Sequence, residues 1–196
     1  MSGRKTIHTP LDPGAVRSLR IGEVVHLTGP IFTARDQAHM LMLDEGIPPG
    51  LNTEGLAVYH CGPIAKQEHG RWRILSAGPT TSMRMESMQS RFLEMSRALA
   101  VIGKGGMGAE TLEALKNLGA VYLSITGGVG VSAMKQLGPV KAVHFLERLG
   151  PVEAVWEFDA IEFGPLVVTM DTHGHSLHDN VSAETKSNLD KVLDRA

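Results

Sequence analysis

The sequence predicts a layered α/β protein with a mixed sheet. Three observations carry that prediction. Strand-sized apolar runs alternate with amphipathic helical stretches along the whole chain. Six of the ten prolines follow a glycine (Gly29-Pro30, Gly62-Pro63, Gly78-Pro79, Gly138-Pro139, Gly150-Pro151 and Gly164-Pro165), and such pairs close strands and open turns. Three strand-like runs follow one another between Val140 and Asp171, which puts antiparallel sheet near the C-terminal end. No Ser/Gly-rich linker divides the 196 residues, so 1–196 reads as a single domain.

The elements follow in order. KTIHT is a short strand. Asp12 followed by Pro13 pairs an N-cap with proline at the first helical position, opening a short helix through Leu19. EVVHLTG is a strand. Thr33 with Asp36 resembles a capping box, starting a helix that runs to about Asp44, with Gly46 beyond it. GLAVYHCG and RWRILSAG are strands. From Ser82 a longer helix carries Met85, Met88, Phe92, Met95 and Leu99 as one apolar stripe. ALAVIG is a buried strand, GKGGMG a loop, and Leu112, Leu115 and Leu118 mark a helix stopped by Gly119. AVYLSI is a strand, followed by GGVG and the short helix VSAMKQL. The runs VKAVHFLE, VEAVWEFDAIEF and PLVVTMD precede a final helix starting near Ser182 and carrying Leu189, Val192 and Leu193.

Composition narrows the function. With 42% apolar and 20% charged residues the chain has the balance of a soluble folded protein. Nineteen basic against 21 acidic residues give a net charge of -2, a poor basis for nucleic-acid binding. Cys61 is the single cysteine, so no internal disulfide forms and a cluster or structural zinc would lack ligands. The N-terminal MSGRKTIHTPLDPG has no apolar signal region, and no run approaches the roughly 20 apolar residues of a membrane span. A cytoplasmic location is expected. Ten methionines and 5% aromatics predict an aliphatic, methionine-rich core.

Five features could carry chemistry. GPIFTAR (29–35) and GPTTSMR (78–84) share Gly-Pro, a hydroxyl four residues after the glycine and an arginine six after it. Both are expected to follow a strand and open a helix, where free N–H groups and a guanidinium favour carboxylate or phosphate. Arg35 and Arg84 are thus candidate anion ligands. Asp36 and His39 can share a helix face with Arg35, and a carboxylate can orient an imidazole for proton transfer. Lys104 in GKGGMG puts a cation in a glycine loop before a helix; it is not a Walker A sequence. Gly128-Val129-Gly130-Val131-Ser132-Ala133 matches a dinucleotide fingerprint, but the following helix is very short. His173, His175 and His178 sit in DTHGHSLHD, a polar turn without a second ligand cluster. The set is rich in cations and hydroxyls and poor in electrophiles, which suits half of an active site. A nucleotide-binding module and a non-catalytic anion-binding subunit are the rival readings.

LTGPIFTARDQAH, YHCGPI, GPTTSMRMES, VIGKGGMG, EAVWEFDAIEFGPL and the DTHG turn, in this order, resemble the β subunit of the class I iron–sulfur hydro-lyases, class I fumarase and L(+)-tartrate dehydratase. The resemblance implies a swivelling β/β/α domain that covers an active site. It implies a [4Fe–4S] cluster held by a partner α subunit, whose open iron acts as Lewis acid, and a C4 dicarboxylate substrate. A hetero-oligomer is implied, with a homodimer of the isolated chain as the alternative assembly. The family's proposed proton-abstracting threonine falls on Thr80 and its suggested acid/base histidine on His39. The family's substrate-binding cations fall on Arg35, Arg84 and Lys104. The resemblance covers both fumarate hydration to L-malate, taken first as the commoner activity, and tartrate dehydration to oxaloacetate, to which SMRMES is closer.

Overall fold

The computed structural model describes residues 5–193, with side chains as far as Leu189. In chain order the elements are β1 (Lys5–His8), α1 (Pro13–Ser18), β2 (Val24–Thr33), α2 (Asp36–Glu45), β3 (Ala57–Tyr59), β4 (Ile64–Glu68), β5 (Arg71–Ser76), α3 (Glu86–Ser96), β6 (Ala100–Gly103), α4 (Ala109–Leu118), β7 (Val121–Ser124), α5 (Gly130–Lys135), β8 (Ala142–His144), α6 (Leu146–Leu149), β9 (Val155–Met170) and α7 (Leu177–Leu193). The alternation of strand and helix and the mixed sheet agree with the expected α/β class.

One seven-stranded sheet runs β1-β2-β3-β6-β7-β9-β8 and closes on itself, because β9 also pairs with β2. The pairs from β1 to β7 are parallel; β9 is antiparallel to β7, β8 and β2. The two long strands change neighbours partway. β2 pairs with β1 through Val25–Thr28 and with β3 from Ile31 on, with β9 on its other edge. β9 pairs with β8 through Val155–Glu157 and with β7 from Val167 on. Gly29-Pro30 and Gly164-Pro165 fall at these two changes of neighbour. There a missing N–H costs nothing in the ladder, so both pairs lie inside strands rather than ending them.

Inside the curl, Leu27, Ile31, Tyr59, Ile102, Leu123, Trp156, Phe158 and Phe163 form one buried core. On the outer face Phe32, Val58, Val101 and Tyr122 meet Met42 of α2, Phe92 and Leu93 of α3, and Leu115 of α4. The curled sheet thus supplies two walls and the helices a third layer. Among the described residues no helix is long and apolar enough to cross a membrane.

Several expected boundaries move. Asp12 caps α1 as expected, accepting from the Ala15 N–H at 2.8 Å. The Thr33–Asp36 capping box does not form: Thr33 is the buried end of β2, its hydroxyl accepts the Trp156 N–H, and Arg35 is the N-cap. The helix expected from Ser82 opens as a 3-10 turn, Ser82–Met85, and ends at Ser96 with Arg97 left-handed, so Leu99 lies beyond it. The hairpin partner β4 was not expected from IAKQE, a polar segment exposed on both faces that pairs only with β5. The last helix begins at Leu177, five residues before its expected start, and Leu189 is exposed on it; the Val192 and Leu193 side chains and residues 1–4 and 194–196 lie outside the described set.

Candidate functional site

The parallel strands β2, β3, β6 and β7 end together, and open sheets of this kind bind ligands beyond their carboxyl ends. Arg35 stands two residues after β2, His60 directly after β3 and Lys104 directly after β6. The segment Pro79–Ser82 is inserted between the splayed ends of β3 and β6. Pro79 bridges Cys61, and Thr81 bridges Lys104. The Thr80 N–H donates to the His60 carbonyl at 2.8 Å, and its own carbonyl accepts the Lys104 N–H at 3.3 Å. The Ser82 N–H closes the clamp on the Lys104 carbonyl at 3.1 Å. Thr80 and Lys104, 24 positions apart in sequence, therefore lie side by side.

The two arginines meet at one carboxylate. Asp36 Oδ2 lies 2.9 Å from Arg84 Nη2 and 3.9 Å from Arg35 Nη2. Arg35 is also paired with Glu153 at 3.1 Å, and the Gln37 N–H donates to the same carboxylate. The two sides differ in exposure: the Arg35 side chain is 17% accessible, that of Arg84 52%. Arg35 crosses Gly62, where a Cβ would stand 2.8 Å from its Cδ and Nη1, so only glycine leaves the guanidinium room. The Lys104 stem runs along Gly127, and among the described residues nothing claims its ammonium or the Thr80 hydroxyl.

The helix N-termini are not the free anion cradles the sequence suggests. The α4 terminus after GKGGMG is filled by Glu86, which accepts from the Gly108 N–H at 2.7 Å, the Thr111 N–H at 3.1 Å and the Thr111 hydroxyl at 2.7 Å. The α2 terminus is occupied by Glu153. Nor are the GPIFTAR and GPTTSMR segments twins, since Gly29-Pro30 lies within β2 and Gly78-Pro79 in a loop. What remains for an anion is the charge of the side chains, three cations against Asp36 and Glu153.

His39 does not line the opening. It is fully buried, tilted against Phe92 with ring centroids 4.0 Å apart, and its Nδ1 bonds the Arg35 carbonyl at 2.9 Å. Burial pulls its pKa down to about 4, against smaller upward contributions from the Arg35 carbonyl, Gln89 and Asp36. Asp36 does not orient it; Asp36 serves the arginines. Sequence reasoning missed His60 and Ser82, which lie in the same buried layer: His60 Nδ1 and Ser82 Oγ are 2.9 Å apart, and the Tyr122 hydroxyl donates to Ser82 at 2.9 Å. The signal was a histidine at a strand end just before Gly62-Pro63.

The other motifs are structural. Gly130 of the dinucleotide-like run packs on Ser76 and Gly78, where a Cβ would collide, and its helix α5 has six residues. In DTHGHSLHD, Asp171 accepts the His173 and His175 N–H groups, and the His178 ring covers Gly106. No group of three or more His, Cys, Asp or Glu suited to a metal exists among the described residues.

Comparison with known proteins identifies the family. Residues 5–181 match the family model described as Fumarase C-terminus. The chain is 39% identical over 183 residues to a putative L(+)-tartrate dehydratase subunit beta of Methanocaldococcus jannaschii, covering 91% of this chain and 93% of that one. It is 38% identical over 174 residues to the L(+)-tartrate dehydratase subunit beta of Escherichia coli K12, covering 89% and 86%. A putative class I fumarate hydratase of Geobacillus stearothermophilus is 42% identical over 188 residues, covering 95% of this chain but 35% of that longer protein.

Proposed function

The chain belongs to the fumarase C-terminus family, and from that premise we propose that it is the β subunit of a heteromeric iron–sulfur hydro-lyase acting on a C4 dicarboxylate. The observation that carries the reading is the meeting of Arg35 and Arg84 at Asp36, at the strand ends beside Thr80 and Lys104. The reading takes 1–196 as one domain, the cytoplasm as its location, and an α subunit as its partner.

Arg35, Arg84 and Lys104 hold the substrate carboxylates. Guanidinium binds carboxylate through two parallel hydrogen bonds, and the lysine adds a point charge. Arg84, the more exposed arginine, is the arm that exchanges Asp36 for substrate. Thr80 moves the proton on carbon. A hydroxyl is a weak base by itself, and the neighbouring cations favour its deprotonated form. His39 acts from behind the site, through the Arg35 backbone.

This chain does not fit a [4Fe–4S] cluster. Cys61 is its one cysteine, wholly buried, and burial pushes the thiol well above its usual range. The cluster belongs to the α subunit in this reading, and the chain alone is inactive.

Fumarate and L-malate are the preferred pair. A second reading, L(+)-tartrate, is favoured by the subunit-length relatives, which bear the tartrate dehydratase name. The test is turnover of fumarate, L-malate and L(+)-tartrate by the chain co-expressed with an α subunit holding three cluster cysteines. Arg84→Ala is expected to lower kcat/KM by about a hundredfold or more while the subunits still co-purify. Near-normal kcat/KM would remove Arg84 from the site.

A further inference from the structure

Beneath the clamp that holds Thr80 lies a line of buried polar groups with no contact to solvent. It starts at Tyr122, whose hydroxyl donates to Ser82 Oγ at 2.9 Å. Ser82 Oγ lies 2.9 Å from His60 Nδ1. Next come Gln89 and His39; Gln89 lies beside both imidazoles, and the rings are 5.2 Å apart edge to face. The line ends where His39 Nδ1 meets the Arg35 carbonyl at 2.9 Å. Ser82, His60, Gln89 and His39 are buried. The atoms between the rings (His39 Nε2, His60 Nε2 and both amide atoms of Gln89) have no aligned partner in the static geometry.

The Arg35 carbonyl end sets the direction of the line. A carbonyl only accepts, so His39 carries its proton on Nδ1 and offers a lone pair at Nε2. Ser82 Oγ has lone pairs for both Tyr122 and His60, so the direction there comes from the other end: a Gln89 amide that gives its NH2 to His39 turns its carbonyl to His60, which puts the His60 proton on Nε2 and leaves Nδ1 to accept from Ser82. Gln89 then satisfies both rings at once, its carbonyl facing His60 and its NH2 facing His39. Four buried atoms left without partners carry an uncompensated desolvation penalty, so a small shift of the amide toward both rings is favoured.

We propose that Tyr122, Ser82, His60, Gln89 and His39 form one directional hydrogen-bond line that fixes the Thr80 clamp against the backbone of Arg35, and that His60 and Ser82 are positioning residues of the reaction. The line joins the two halves of the site. His60 holds the Thr80 N–H through its backbone and Ser82 through its ring, while His39 holds the residue that caps α2. Gly103 leaves the room it needs, since a Cβ there would overlap Ser82 Oγ and stand 2.9 Å from the Tyr122 hydroxyl. Both imidazoles must be neutral, because a protonated ring has no lone pair to accept with. Burial depresses both, with Asp36 the charged group acting on His39, His39 acting on His60, and Tyr122 pushed up to about 12 and so protonated.

The catalytic part of this inference rests on the hydro-lyase reading; the proton positions do not. Long-range proton–nitrogen spectra of the full chain are expected to show opposite neutral tautomers, Nδ1–H for His39 and Nε2–H for His60. In the assembled enzyme, Ser82→Ala and the milder Tyr122→Phe are expected to lower kcat by about tenfold with KM within about twofold, since the carboxylate-binding cations are untouched. The same tautomer in both rings overturns the line. So does an unchanged kcat in Tyr122→Phe when wild type turns over. Absence of turnover by the wild-type pair would count against the hydro-lyase reading instead, and the spectra would still judge the line.

Discussion

Asp171 organises the turn that follows β9. Its side chain is fully buried, and it accepts the His173 N–H at 2.9 Å, the His175 N–H at 3.1 Å and the His175 imidazole at 3.1 Å. Burial alone would raise its pKa; these bonds, with one from the Ile21 N–H, outweigh burial and hold it below the ordinary value. A carboxyl depressed in the folded state stabilises above its unfolded pKa and loses that contribution as pH falls through the folded value. Asp171→Asn is therefore expected to cost about 1–2 kcal/mol near neutral pH, and the gap to wild type should close below about pH 4. Urea unfolding at both pH values checks this, and a gap independent of pH would refute it. At this scale the sequence was most informative about cations. Arg35, Arg84 and Lys104 were legible because guanidinium and ammonium groups near strand ends have few structural duties. His39 was legible as a residue but not in its role, because spacing does not show which side of α2 faces the layer behind. His60, Ser82 and Tyr122 were hidden, since each reads as an ordinary member of a strand or turn.

Helix ends teach a second lesson. The glycine loop before α4 looks like an anion site, yet the anion it holds is Glu86 from the start of α3. That carboxylate ties two neighbouring helices together and steadies the loop that follows Lys104. Glu86→Ala is expected to cost about 1–2 kcal/mol, the range for a lost N-terminal cap, and Glu86→Gln less. Thermal unfolding would decide it; an unchanged Tm in Glu86→Ala would show the cap to be idle. Most elements were legible because periodicity and glycine stops are local signals. The α1 cap was read correctly for that reason. Where Thr33 departed from the capping box, a strand neighbour 123 positions away had taken its hydroxyl. The hairpin β4–β5 was half missed: RWRILS turns Trp72 and Ile74 onto the core, whereas IAKQE offers only Ala65 there and is otherwise polar or exposed.

The whole molecule is held by the curl of its sheet. β3, β6 and β7 are central, buried strands, whereas β4–β5 pairs only with itself and α7 exposes Val181 and Leu189. Opening should therefore begin at the periphery. Hydrogen exchange is expected to be slowest at Val58, Val101 and Leu123 and fastest, among the paired segments, at Lys66–Arg73. Equal protection of hairpin and central strands would contradict this. The α/β class was legible because alternation is a local property of the chain. Closure was not, because nothing near Val24–Thr33 reveals that its outer edge is reserved for Val155–Met170.

That reservation has a consequence for biosynthesis. A ribosome makes the chain from β2 toward β9, so one edge of β2 stays bare until more than a hundred further residues have been made. The nascent protein must keep a long strand unzipped through most of its own translation. Trigger factor-like holding, or slow decoding ahead of β9, would matter more to its yield than the final stability of the finished sheet.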